Sequence, residues 1–117
     1  MILVDTSVWV DHIRHSESRL VKLLYDGQVL SHAFVIEELA CGNLPKRVEF
    51  LDLMESLPRA PIAEHHEVLD LIANERLHGT GLGAVDVHLI ASAVLGNAAI
   101  WSKDKALSRV ADKLGLG

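Results

Sequence analysis

Four carboxylates stand out by where they fall in the chain. Asp5 closes the apolar run Ile2-Leu3-Val4 and is followed by Thr6 and Ser7, while Asp104 follows Ala98-Ala99-Ile100-Trp101 after Ser102 and Lys103. In each case an apolar run gives way to residues that start a helix, so both acids belong at the carboxyl end of a buried strand. Ligands of open α/β sheets bind in the crevice along that edge. Asp86 lies near the start of residues 84–95, a segment apolar on almost every side. A helix N-terminus stabilises a carboxylate there, but desolvation without a partner is costly. Glu38 lies in the helical stretch after the next short apolar run. Because adjacent helix positions diverge by ~100°, only one of Glu37 and Glu38 can face such a site. Carboxylates gathered together repel one another, so they either hold protons more tightly or take a cation, and an all-oxygen set suits Mg²⁺ or Mn²⁺. Taken singly, Asp5, Asp86 and Asp104 are equally explained as capping or first-turn acids, and Glu38 as a solvent-facing residue. Their joint placement favours a site.

The elements needed to position them can be read in order. After the first strand, Val8, Trp9, Val10 and Ile13 give a short helix its inner face, and a second helix over 16–26 turns Leu20, Val21, Leu23 and Leu24 inward before Gly27 ends it. Residues 28–31 form a second short strand, leading to a helix over 33–41 stopped by Gly42 and Asn43. The pattern predicts a further helix over 45–57, with Pro45 in its first turn and Val48, Leu51, Met54 and Leu57 on one side. Residues 61–63 are a third, brief strand. A helix over 64–77 ends in a glycine-rich loop that lacks the spacing and the Lys-Ser/Thr of a phosphate-binding loop. The buried helix 84–95, the strand 98–101 and a last helix to about residue 113 complete the chain, with 114–117 as a rudimentary edge strand. This alternation predicts an α/β fold, a parallel sheet with helices on both faces, in a single domain spanning residues 1–117.

Composition narrows the setting. Half the residues are hydrophobic, enough for a core and unlike a disordered chain. Cys41 is the only cysteine, which rules out an internal disulfide and a cysteine-based zinc site. No secretion leader is visible, and the longest uncharged stretch, Val87 to Ser102, falls short of the ~20 apolar residues of a membrane span, so a cytoplasmic protein without membrane contact is expected. With 11 Lys and Arg against 16 Asp and Glu, the net charge is −5, which by itself argues against binding nucleic acid. Acids concentrated at one site and neutralised there by metal ions weaken that objection.

Val4-Asp5-Thr6-Ser7-Val8-Trp9, Glu38-Leu39-Ala40-Cys41-Gly42, Asp86-Val87-His88-Leu89-Ile90-Ala91-Ser92-Ala93 and Trp101-Ser102-Lys103-Asp104-Lys105-Ala106-Leu107 together resemble the four acidic motifs of PIN-domain nucleases. Their order and separation match over essentially the whole chain. The compact length and the Glu-Leu-x-x-Gly motif are similar to those of VapC toxins in toxin-antitoxin pairs. This resemblance implies a PIN-like sheet of four to five parallel strands. It implies an endoribonuclease in which Asp5 and Asp86 bind Mg²⁺ or Mn²⁺ directly and Glu38 and Asp104 complete the pocket. RNA would be hydrolysed to leave a 5′-phosphate and a 3′-hydroxyl. It further implies a homodimer and a VapB-like antitoxin that places a basic side chain among the acids. Thr6, Ser7 and Ser102 are candidates for orienting the carboxylates, with helix capping an equal account of each.

Other residues carry less. Glu64-His65-His66-Glu67 lacks the two-histidine spacing of a zinc protease and reads as a solvated helix start. His88 lies on a different helix face from Asp86 and reads as a packed histidine. Trp9 and Trp101 could stack bases but read as core or dimer packing, and Lys103 and Lys105 could meet phosphate or remain solvated. A phosphoacceptor receiver lacks its acid pair here, and an Asp-x-Asp phosphatase would need an acid in place of Ser7. A non-catalytic PIN domain serving as an RNA-binding or scaffold module is the alternative to the nuclease.

Overall fold

The computed structural model describes residues 1–117. Three short strands form its centre: β1 (Ile2–Val4), β2 (Val29–Leu30) and β3 (Ala99–Trp101). They pair in parallel in the order β2-β1-β3, with Leu3 opposite Leu30 on one side and Ile100 on the other. β1 is central, and Leu3 and Val4 are wholly buried. The chain leaves β1 through α1 (Thr6–His15) and α2 (Ser18–Tyr25) to reach β2 on one side. It then returns through α3 (Ala33–Ala40), α4 (Arg47–Ser56), α5 (His65–Asn74) and α6 (Ala84–Leu95) to reach β3 on the other, before α7 (Lys105–Lys113). The direction of winding thus reverses at the end of β1, where Asp5 stands, and such switch points open a crevice.

The sheet has three strands rather than the four to five expected. On the β2 side a single bridge joins Ser31 to Arg59: Ser31 N donates to Pro58 O at 2.8 Å, and Ala60 N donates to Ser31 O at 2.9 Å. Residues 61–63, expected as a strand, form none, because Pro58 and Pro61 have no N–H to offer and the ladder stops between them. On the β3 side the expected edge strand is reduced to one bond, from Ile100 N to Leu116 O at 2.7 Å.

Helix patterning holds best where burial is deepest. In α6, Val87, Leu89, Ile90, Ala91, Ser92 and Ala93 are all buried, and α7 turns Leu107, Val110 and Ala111 inward. By contrast α4 buries only Met54, and Val48, expected on its inner face, is 73% exposed. This helix starts after Lys46 in the left-handed region, which leaves Pro45 outside it. Arg47 explains the join: its guanidinium donates to Ala40 O (2.6 Å) and Gly42 O (3.2 Å), satisfying carbonyls at the end of α3. α5 stops short of residue 77 in a turn with Arg76 left-handed. One continuous core surrounds the sheet, with Trp9, Leu20, Met54, Leu89, Ile90 and Leu107 among its fully buried side chains.

Candidate active site

Asp5 is the pivot of the carboxyl edge. It caps α1, accepting from Ser7 N at 3.3 Å, and the same Oδ2 accepts from Ser7 Oγ (2.6 Å) and Ser102 Oγ (2.8 Å). All three donors are neutral, and all converge on one oxygen. Oδ1 takes no protein hydrogen bond and is not among the sealed polar atoms, although the residue is only 6% exposed, so that oxygen remains reachable from the crevice.

The two serines join the β1–α1 junction to the β3–α7 junction. Ser7 Oγ accepts from Lys103 N (2.9 Å), and Ser102 Oγ accepts from Asp104 N (3.0 Å). Each hydroxyl has one proton. With both given to Asp5, the 3.3 Å approach of Ser7 Oγ to Ser102 Oγ is a packing contact. Asp104, in turn, caps α7 by accepting from Leu107 N at 2.9 Å. Of the two accounts the sequence allows for Ser7 and Ser102, the structure shows carboxylate orientation: both hydroxyls donate to Asp5, while the helix caps are the carboxylates of Asp5 and Asp104 themselves.

On the far side of the crevice, Thr6 Oγ1 donates to Glu38 Oε1 at 2.7 Å, so it is Glu38 rather than Glu37 that is tied to the Asp5 junction. Asp86, half-buried in the first turn of α6, accepts from Gly83 N at 3.1 Å. Burial pushes its carboxyl above the ordinary carboxylate range; the charges of Asp5, Asp104 and Glu38 add to that, and only the Gly83 N–H opposes it. Asp86 therefore lies close enough to feel each of the other three acids, and no lysine or arginine is paired to any of the four.

No three side chains converge tightly enough to enclose an ion unaided. The donors nonetheless fit a hard cation: they are carboxylate oxygens, one near-buried and oriented by hydroxyls, another half-buried with no cation of the protein beside it. A magnesium-like ion held by one or two carboxylates keeps its remaining positions for water and phosphate oxygens, and an open, one-sided set of acids suits it.

Lys103 does not face this edge. Its ammonium pairs with Asp11 and, at 2.8 Å, with Glu17. Hydrogen bonding to Lys103 holds both carboxyls below their ordinary range and raises the lysine's own pKa. Lys105 is exposed. Trp9 is wholly buried, edge-on to Phe50 at 5.9 Å. Trp101 is half-buried with the Arg19 guanidinium 4.4 Å from its ring centroid. His65 and His66 are exposed at the start of α5, and the ring of His88 packs edge-on against Phe34 at 4.9 Å.

His32 escaped sequence reasoning. It is wholly buried at the N-cap of α3, with Nδ1 accepting from Phe34 N (3.0 Å) and Nε2 2.9 Å from Ser92 Oγ of α6. Burial, with a smaller contribution from His88, lowers its pKa to about 4. Histidine is not among the preferred N-cap residues. Only its position between a strand and a helix could have marked it.

Residues 2–113 match the family described as PIN domain. The chain is also 47% identical over 117 residues to Ribonuclease VapC32 of Mycobacterium tuberculosis, in both strain CDC 1551 / Oshkosh and strain ATCC 25618 / H37Rv, across 99% of this chain and 94% of those proteins.

Proposed function

Since the chain belongs to the PIN-domain family, in the branch of VapC-type ribonucleases, we propose that it is an endoribonuclease toxin that hydrolyses RNA phosphodiester bonds with Mg²⁺ or Mn²⁺ at the four-acid edge. One observation carries this reading: Asp5, Glu38, Asp86 and Asp104 come from four separate parts of the chain to one crevice, where hydroxyls and backbone N–H groups are their only hydrogen-bond partners and no lysine or arginine offsets their mutual repulsion. A bound divalent ion would relieve that repulsion, lower the pKa of a water and neutralise charge on the phosphorus oxygens.

Asp5 and Asp86 are the residues assigned to hold the ion, Asp5 through its unengaged oxygen. Ser7 and Ser102 fix the Asp5 carboxylate so that little reorganisation is needed when the ion and substrate arrive. Glu38, fixed by Thr6, and Asp104, fixed by the first turn of α7, close the acidic ring. Arg14, near Glu38, and Arg19, on the Ser102 side, enter no ion pair, and they are the cations assigned to the phosphates flanking the cut.

The proposed antitoxin is a VapB-like chain. A groove of about 280 Å³ runs between α1 and the end of α3, walled by Val10, Ile13, Leu39 and Leu44 and ending at Glu38. Apolar side chains of an antitoxin tail fit its walls, and a basic side chain following them would reach the acids. A homodimer and a cytoplasmic location belong to the same reading; no helix is long and apolar enough to cross a membrane.

The test is cleavage of structured RNAs by purified, antitoxin-free protein in Mg²⁺, Mn²⁺ or EDTA, with Asp5→Asn and Asp86→Asn alongside. Metal-dependent cutting, lost in both folded variants and ending in 5′-phosphates, is expected. Tight Mn²⁺ binding with no cutting of any RNA would point instead to a scaffold. Equal cutting by all three proteins would reject the site.

A further inference from the structure

His32 and Ser92 are both wholly buried, and each belongs to an element that carries one of the acids. His32 is the cap of α3, which bears Glu38, and Ser92 lies in α6, which bears Asp86. The ring's two nitrogens are fully assigned by their surroundings. Nδ1 accepts the Phe34 N–H, so in the neutral ring the proton is on Nε2 and is donated to Ser92 Oγ at 2.9 Å.

One turn back along α6 from Ser92, the ring of His88 meets Phe34 edge-on, two residues after His32. His88 and Ser92 share one face of α6, as positions four apart do. The start of α3 is thus joined to α6 at two adjacent points, one a directional hydrogen bond and one an aromatic contact. At its other end, α3 is joined to the Asp5 junction by the Thr6–Glu38 bond. Glu38 therefore stands on a helix fixed to both halves of the acidic edge.

We propose that His32 is a positioning residue: by capping α3 while donating to Ser92, it sets where the Glu38 helix lies relative to the Asp86 helix, and so the ion-binding geometry of the four acids. This rests on the reading of the acids as a metal site. An apolar pair of similar volume would fill the same space, but it would let α3 slide or rotate on α6. A buried donor–acceptor pair with one short, directional solution does not.

The experiment is Mn²⁺ binding, followed by electron paramagnetic resonance without RNA, on the full chain. The variants are Ser92→Ala and His32→Asn, each alone and each combined with Glu38→Gln. Asparagine keeps an acceptor for the Phe34 N–H but is too short to reach Ser92. Val68→Ala, a core truncation on α5, a helix that carries none of the four acids, serves as a control for lost stability.

Each single variant is expected to bind Mn²⁺ about tenfold more weakly, the low end for residues that orient metal ligands. In the Glu38→Gln background the same substitutions should have no further effect, and Val68→Ala should bind as the wild type does even where it melts lower. The proposal is overturned if Ser92→Ala and His32→Asn bind as the wild type, if their effect persists undiminished in Glu38→Gln, or if Val68→Ala weakens binding as much for the same loss of melting temperature. A wild-type protein that binds no Mn²⁺ would overturn the metal reading itself and this inference with it. Normal wild-type binding with unaltered variants would overturn only this inference.

Discussion

Two groups of acids in this chain behave oppositely. Asp11 and Glu17 share the ammonium of Lys103, and their carboxyls are held below the ordinary range. Asp5, Glu38, Asp86 and Asp104 share only hydroxyls, backbone N–H groups and each other, and Asp86 is pushed upward. The chain has a cation at hand, since Lys103 separates Ser102 from Asp104, yet its side chain is turned onto the α1–α2 pair. Asp11 and Glu17 are neutralised by the protein and brace its surface, whereas the other four acids are left without a cation of the protein.

The comparison breaks most easily at Asp5 and Asp86, the two acids proposed to hold the metal. Asp5→Asn and Asp86→Asn should each lower metal-dependent cleavage by more than ~100-fold, beyond the usual loss for residues that only orient ligands. Asp86→Asn carries a second expectation. A raised folded pKa means that ionisation costs stability above the ordinary carboxylate pKa, so the amide, which still accepts from Gly83 N, should melt at or above the wild-type temperature in metal-free buffer. A clear fall in melting temperature would mean that the acids brace the fold after all. Ser102→Ala should weaken Mn²⁺ binding about tenfold, since Asp5 loses one of its hydroxyl donors and Asp104 N its acceptor. Unchanged Mn²⁺ affinity would show that the serines only tie the two strand–helix junctions together.

Acid titration separates the interior from both groups. His32 has a folded pKa of about 4 against an ordinary value of 6.5. Above pH 6.5 it is neutral in both states and neither helps nor harms. As the pH falls toward about 4, the unfolded chain takes a proton that the folded chain refuses, and stability drops by roughly 2–3 kcal/mol. Denaturant melts across this range should show that slope, and His32→Asn should remove it. The smallest effect is expected at the braced acids. Lys103→Gln should lower the melting temperature slightly, by an amount that shrinks in high salt, while Mn²⁺ affinity stays within twofold. Because Asp11 and Glu17 have lowered pKa values, what they contribute is present above the ordinary carboxylate pKa and is lost below it, so the variant should lose less on strong acidification.

Much of the scaffold was legible because the signal is local. Helix α6 runs over the 84–95 read from the sequence, since its apolar residues leave no polar face to argue about. The helices around it were found with ends shifted by a few residues. Where local pattern misled, a distant partner decided: Val48 had helical spacing but nothing to pack against, and Arg47 with the left-handed Lys46 reset the start of α4. Prolines at 58 and 61 thinned the sheet edge to one bridge.

The sequence by itself determined the kind of fold and marked the four acids as candidates, because strand ends and helix starts are written in neighbouring residue types. Which hydroxyl serves which carboxylate, where Lys103 turns and what His32 does were decided only by tertiary structure. Ser102 lies 97 positions from Asp5 and Ser92 lies 60 from His32, and no local rule sees a contact between residues that far apart. Hydrogen bonds of this kind are set by how helices seat on the sheet, after the local patterns have been used up.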